Sequence, residues 1–190
     1  MTEPYRILVV CTANICRSVM AQEFLRRDIA VREVDHVEIS SCGLLFDDEP
    51  ASETVLAVLA EHELDASAHR SRKFAPELLE GIDLVVTMER LHARELALST
   101  EGASARIHTL GSLVEWCRSE ETLVGSPGER LARFAEGRRS SDLLGSGSEE
   151  VEDPHGRSKR VHRKAAERIE DLCEGLLDGL FDRQIPDPGL

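Results

Sequence analysis

Tyr5-Arg6-Ile7-Leu8-Val9-Val10-Cys11-Thr12-Ala13-Asn14-Ile15-Cys16-Arg17-Ser18 is the stretch on which the reading of this chain turns. Tyr5 to Val10 is almost continuously apolar and rich in β-branched residues. That suits a strand buried on both faces, as in a parallel sheet. The strand ends at Cys11 and the polar stretch Thr12 to Ser18 follows. Met20, Phe24 and Ile29 then mark the apolar side of a helix. In parallel sheets flanked by helices, sites form beyond the C-terminal ends of the strands, where helices begin. Cys11 lies at such a point.

The loop has a chemistry of its own. Five residues separate Cys11 from Arg17, enough to curl around a tetrahedral oxyanion with backbone N–H groups turned inward. The helix adds its unpaired N–H groups and its positive end. Arg17 can grip two oxygens of one anion. The same field favours the thiolate of Cys11, and Ser18 can donate a hydrogen bond to it. Asn14 is suited to holding the loop, because its short amide bonds to nearby backbone and tolerates unusual dihedrals. A thiolate beneath a cradled phosphate is placed to attack phosphorus. The plain alternative is an ordinary strand–helix turn with caps and small packed cysteines.

Further along, strands and helices alternate. Val37 to Ile39 is a short strand. Ser52 caps a helix containing Val55, Leu56 and Leu59, with His62 on its polar side. Ile82 to Thr87 is a strand and 89–98 a helix. Arg106 to Leu110 is a fourth strand, and Ser112 to Trp116 a turn or short helix. Residues 117–150 are the least regular, with turn chemistry at Gly125-Ser126-Pro127-Gly128 and a surface loop expected around 137–150. Val161, Ala165, Ile169, Leu172, Leu176 and Leu180 recur at helical spacing, although Gly175 and Gly179 weaken the final turns. The expectation is an α/β three-layer sandwich, a twisted four-stranded parallel sheet with helices on both faces. Residues 1–190 read as one domain.

Composition narrows the function classes. Thirty-six acids against 23 Lys and Arg leave a net charge of −13, which argues against a nucleic-acid partner. Apolar runs are too short for membrane insertion, and Met1 to Pro4 does not read as a signal peptide, so a cytoplasmic location is expected. Cys11, Cys16, Cys42, Cys117 and Cys173 are odd in number and scattered, unlike a disulfide framework or a zinc site. No metal or other cofactor is indicated.

Cys11, Asn14, Cys16, Arg17 and Ser18 match the signature of the low-molecular-weight protein-tyrosine phosphatases, and the chain resembles that family along nearly its whole length. The family carries an Asp-Pro pair before its final helix, here Asp153-Pro154. Ser40 to Gly43, Pro50, His69 to Arg72, and Thr87 to Glu89 with His92 also resemble family segments. The resemblance implies the phosphotyrosine phosphatase I-like fold and a metal-free, two-step hydrolysis of phosphotyrosine in proteins. Cys11 is then the nucleophile, Arg17 the anion clamp and Asp153 the acid. Thr12, Ala13, Asn14, Ile15, Cys16 and Ser18 complete the phosphate loop, and Ile15, Phe46 and His155 line the substrate slot. Cys16 protects an oxidised Cys11 by forming a disulfide with it.

The resemblance further implies a monomer acting on a tyrosine-phosphorylated protein, in bacteria often an autophosphorylated tyrosine kinase. The chain departs from the family at four places, the mildest being Cys42 where alanine is usual. Ala13 stands where glycine is usual, and a positive φ there would cost about 1–2 kcal/mol. Val19 replaces a common proline. His155-Gly156 replaces one or two aromatics. Two other readings stay open. One is arsenate reduction, which needs relay cysteines such as Cys117 or Cys173. The other is a non-catalytic phosphoprotein-binding module.

Overall fold

A computed structural model describes residues 3–34, 36–120, 123–136 and 149–181. Four strands, β1 (Tyr5–Cys11), β2 (Val37–Gly43), β3 (Leu84–Thr87) and β4 (Ile107–Thr109), form one sheet in the order β2-β1-β3-β4. Every pairing is parallel. The helices are α1 (Arg17–Val31), α2 (Glu53–Leu59), α3 (Arg90–Ser99), α4 (Leu110–Ser119), α5 (Pro127–Glu136) and α6 (Lys159–Phe181).

The period-2 alternation of β1 explains the layers. Ile7, Val9 and Cys11 point into one core with residues of α1, α4 and α6, including Phe24, Val114 and Ile169. Leu8 and Val10 point into the other with Val85, Ala93, Leu96 and Ile107. The sheet is therefore covered on both faces, and β1 reads as a continuous apolar run because both of its faces are buried. β2 and β3 pair with opposite edges of β1. The order of strands thus reverses at β1, and the crevice opens beside Cys11.

Three elements differ from the sequence expectation. β2 continues through Ser40, Ser41 and Cys42 to Gly43, beyond the Val37-Glu38-Ile39 triplet that marks it in the sequence. α4 is a full ten-residue helix. α5 occupies 127–136, where only turn chemistry is legible. That turn chemistry is its cap: the Glu129 carboxylate accepts from Ser126 N and Oγ, at 2.7 and 2.8 Å, an arrangement close to a capping box. Gly175 and Gly179 do not interrupt α6. A Cβ on either would strike Val114 or Cys117 of α4, so the two glycines let the helices approach closely. The loop expected at 137–150 lies outside the described residues except for Glu149 and Glu150.

Candidate active site

The loop between β1 and α1 is held in shape chiefly by Asn14. Its φ is +54°, in the left-handed region that asparagine tolerates better than most residues. Asn14 Nδ2 donates to Ser18 Oγ at 2.9 Å and to Ser41 Oγ at 2.8 Å, and Oδ1 accepts from Arg72 N at 2.9 Å. The carbonyl of Asn14 lies 2.7 Å from His69 Nε2, and burial pushes the His69 pKa down. Ser41 in turn donates to Gln22 at 2.8 Å. This is why β2 carries serine in a buried stretch. Ala13 keeps a negative φ, so the strain feared for an alanine there does not arise.

Gly43 is required by close approach. A Cβ on it would lie 2.6 Å from Asn14 N and 2.7 Å from the carbonyl carbon of Ala13. The loop also accepts hydrogen bonds at Thr12 O from Leu44 N and Leu45 N, at 2.7 and 3.0 Å. Ile15 O accepts from Ser52 N at 3.0 Å.

Cys11 is buried, and its Sγ lies 3.0 Å from Ser18 Oγ. Because Ser18 Oγ accepts from Asn14, its own hydrogen is free to reach the sulfur. Asn14 N also donates to Cys11 Sγ, at 3.3 Å. α1 begins at Arg17 with no side-chain cap and no acid in its first turn. Its positive end is thus left for an anion.

Arg17 is 1% exposed and its terminal nitrogens are fully engaged. Nη1 donates to Glu89 and, at 2.9 Å, to Val151 O. Nη2 donates to Thr12 Oγ1 at 3.0 Å and to Asp153 Oδ2 at 2.7 Å. Asp153 Oδ1 accepts from His155 N at 3.1 Å. Val151 N donates to Met88 O at 3.0 Å, which fixes the Asp153 segment to the end of β3. A side chain from residue 153 thereby meets a loop built from residues 11–18.

A cavity of about 160 Å³ opens above the loop. Cys11, Thr12, Ala13, Ile15, Cys16, Arg17, Phe46, Asp153 and His155 line it, together with Leu45, which has no motif to mark it in the sequence. Cys11 is 2% exposed and Phe46 44%, so the thiol lies deep and the aromatic ring at the rim. Asn14 and Ser18 stand behind the loop as supports. Glu89 is the other residue the sequence leaves without a role. Its signal is its place at the end of the Thr87 to Glu89 segment, two residues after β3. Cys16 is pushed up to about 12, by burial first and then by the neighbouring Cys11. Cys117 and Cys173 are buried in α4 and α6, and neither lines the cavity. The structure thus does not bring to the cavity the two distal thiols that an arsenate-reducing relay would use.

A buried thiol, a loop shaped for an oxyanion and a clamped arginine are the parts that cysteine-dependent phosphatases share. The family model for low molecular weight phosphotyrosine protein phosphatases matches residues 6–140. EpsP of Ralstonia solanacearum, a probable low molecular weight protein-tyrosine-phosphatase, is 32% identical over 111 residues, covering 58% of this chain and 73% of that protein. A protein-arginine-phosphatase of Geobacillus stearothermophilus is 28% identical over 182 residues, covering 95% of this chain and 99% of that protein. Among solved structures, the low molecular weight protein tyrosine phosphatase from T. tengcongensis superposes with a TM-score of 0.72 at 28% identity, over 93% of this chain and 99% of that one. The chain belongs to the low molecular weight phosphotyrosine protein phosphatase family. It is a phosphoric monoester hydrolase that dephosphorylates phosphotyrosine by cysteine chemistry. Among the described residues, no helix is long and apolar enough to cross a membrane.

Proposed function

We propose that Cys11, Arg17 and Asp153 carry the reaction. The thiolate of Cys11 attacks phosphorus in line and the bond to the phenolic oxygen breaks. Asp153 gives that oxygen its proton, a contribution of roughly 10²–10⁴-fold in rate. Arg17 and the loop N–H groups hold the equatorial oxygens of the transition state. In the second step Asp153 takes a proton from water, the water oxygen bonds to phosphorus, and the sulfur–phosphorus bond breaks. Inorganic phosphate leaves and the thiolate returns. The observation that carries this reading is the shared cavity: residue 153, distant in sequence, lines one 160 Å³ space with residues 11 and 17.

Ile15, Leu45, Phe46 and His155 make a slot with apolar and ring walls, fitted to a phenyl ring. The buried position of Cys11 suits a long phosphotyrosine side chain and excludes the short phosphoserine. The macromolecular substrate is a tyrosine-phosphorylated protein, and an autophosphorylated bacterial tyrosine kinase is the leading instance. Cys16 lines the same cavity as Cys11. Once Cys11 is oxidised to the sulfenic acid, the Cys16 sulfur displaces the hydroxyl as water and closes a disulfide that reductant reopens.

The test is hydrolysis of p-nitrophenyl phosphate across pH 5–8, in reductant and EDTA. Cys11→Ser should abolish turnover, Arg17→Ala should leave only a small residual rate and Asp153→Asn should lower it sharply. A folded wild-type protein that binds phosphopeptide without releasing phosphate would overturn the proposal in favour of a binding module.

A further inference from the structure

Thr12 and His92 form a pair that the reaction above leaves unused. His92 lies on α3 and is 2% exposed. Its Nε2 is 3.0 Å from Thr12 Oγ1 and 3.9 Å from a Glu89 carboxylate oxygen. Its Nδ1 is buried and has no hydrogen-bond partner among the described residues. Burial pushes the His92 pKa down to about 4, so near neutral pH the ring carries one N–H.

The surroundings decide which nitrogen holds it. A lone pair on Nε2 would face the Glu89 carboxylate, and the hydrogen on Nδ1 would then be buried without an acceptor. With the hydrogen on Nε2, His92 donates to Thr12 Oγ1, and a bare lone pair remains at Nδ1. The second arrangement also removes the repulsion with Glu89. Thr12 Oγ1 then accepts twice, from His92 and from Arg17 Nη2. A hydroxyl has two lone pairs and one hydrogen. Both lone pairs are taken, the hydrogen is left over, and Thr12 lines the cavity.

Resting on the phosphatase reading of this site, we propose that Thr12 is a further catalytic residue. Its hydroxyl donates to an equatorial oxygen of the phosphoryl group, and His92 is the positioning residue that aims it. The need for such a donor is visible at Arg17. Its four terminal hydrogens are already divided among Glu89, Val151 O, Thr12 and Asp153. An incoming anion gains Nε–H and the hydrogen that Asp153 releases, and Thr12 adds one more.

The test compares Thr12→Val, which keeps shape and removes the hydroxyl, with Thr12→Ser, which keeps the hydroxyl, using p-nitrophenyl phosphate. Thr12→Val should lower kcat/KM by roughly 100-fold, the usual loss for one oxyanion donor, and Thr12→Ser should recover most of it. Thr12 also anchors Arg17, so the decisive comparison is made in an Arg17→Ala background, where that anchoring has no object. Arg17→Ala/Thr12→Val should be slower than Arg17→Ala alone. Equal rates would reduce Thr12 to an anchor and overturn the proposal, as would an unchanged Thr12→Val single variant. His92→Leu, which lacks the donor, should slow the wild type but add nothing to Thr12→Val, because His92 acts through that hydroxyl. Losses that simply add would overturn the positioning role. An inactive wild type would strike at the phosphatase reading and not at Thr12.

Discussion

Arg17 Nη2 donates to Asp153 Oδ2 at 2.7 Å, which seats the carboxylate of the proposed acid on the guanidinium proposed to receive the substrate's oxyanion. The other hydrogens on Nη1 and Nη2 are held by Glu89, Val151 O and Thr12. On the proposed mechanism an anion competes with Asp153 for Arg17 and frees the carboxyl to serve the leaving oxygen. We expect Asp153→Asn to separate two effects. Turnover should fall by about 10²–10⁴-fold with loss of the proton donor. Orthovanadate should inhibit several-fold more tightly, because a neutral amide competes less for the guanidinium. Weaker vanadate inhibition in Asp153→Asn would count against this competition.

The loop depends on Asn14 and on the missing side chain of Gly43. Asn14→Ala removes three side-chain hydrogen bonds and puts alanine at φ +54°. Gly43→Ala drives a Cβ into the loop backbone. Each should cost about 1–3 kcal/mol of stability and lower kcat more than KM, since the cradle loses its shape around the transition state. Thermal melts and steady-state kinetics measure both. Variants with wild-type kinetics would show that the loop holds its form without them.

The relatives include both a tyrosine and an arginine phosphatase, so the slot must be asked whether it prefers a phosphate ester or a phosphoramidate. Ile15 presents an aliphatic wall to the cavity. The wild type should hydrolyse phosphotyrosine peptides well and phosphoarginine poorly. Ile15→Thr should narrow that preference by roughly 10-fold, the scale of one apolar contact exchanged for a polar one. A wild type that prefers phosphoarginine would contradict the substrate assignment.

Acid should weaken the fold through His92. Its folded pKa, about 4, lies below the roughly 6.5 of an unfolded histidine. Between those values the unfolded chain binds a proton that the folded one does not, so the stabilisation is full above about 6.5 and is lost as pH falls toward 4. Burial pushes His69 the same way. Below this window, salt-bridged carboxylates such as Glu61, held at about 2 by Arg163 and Lys159, continue the loss. Urea unfolding at pH 7 and pH 5 should show a drop in stability that is smaller in His92→Gln. An equal drop in that variant would assign the acid sensitivity elsewhere.

The nucleophile loop is legible in sequence because one short stretch carries strand, cradle and helix together, and the reversal of strand order places it at the crevice. Asp153 is a different case. It lies beyond the 6–140 match, and only an Asp-Pro pair before a helix marks it; its contact with Arg17 needs the fold. Leu45 sits in no motif, and Glu89 lies in a family-like segment that assigns it no role, since an acid after a strand and a leucine in a loop have many uses. α5 is obscured because Pro127 and Gly128 read as a turn, although Ser126 and Glu129 cap the helix. The length of β2 is hidden by its serines, which are polar because Ser41 serves Asn14.

The central claim is a phosphoryl group carried on the sulfur of Cys11, and rapid acid quench with mass spectrometry tests it most directly. Asp153→Asn should slow breakdown of the intermediate, so a p-nitrophenyl phosphate reaction quenched early should show one phosphoryl group on the peptide containing Cys11. Cys11→Ser should release no p-nitrophenol. Phosphate release with no label on that peptide, or turnover that survives Cys11→Ser, would contradict the cysteine mechanism.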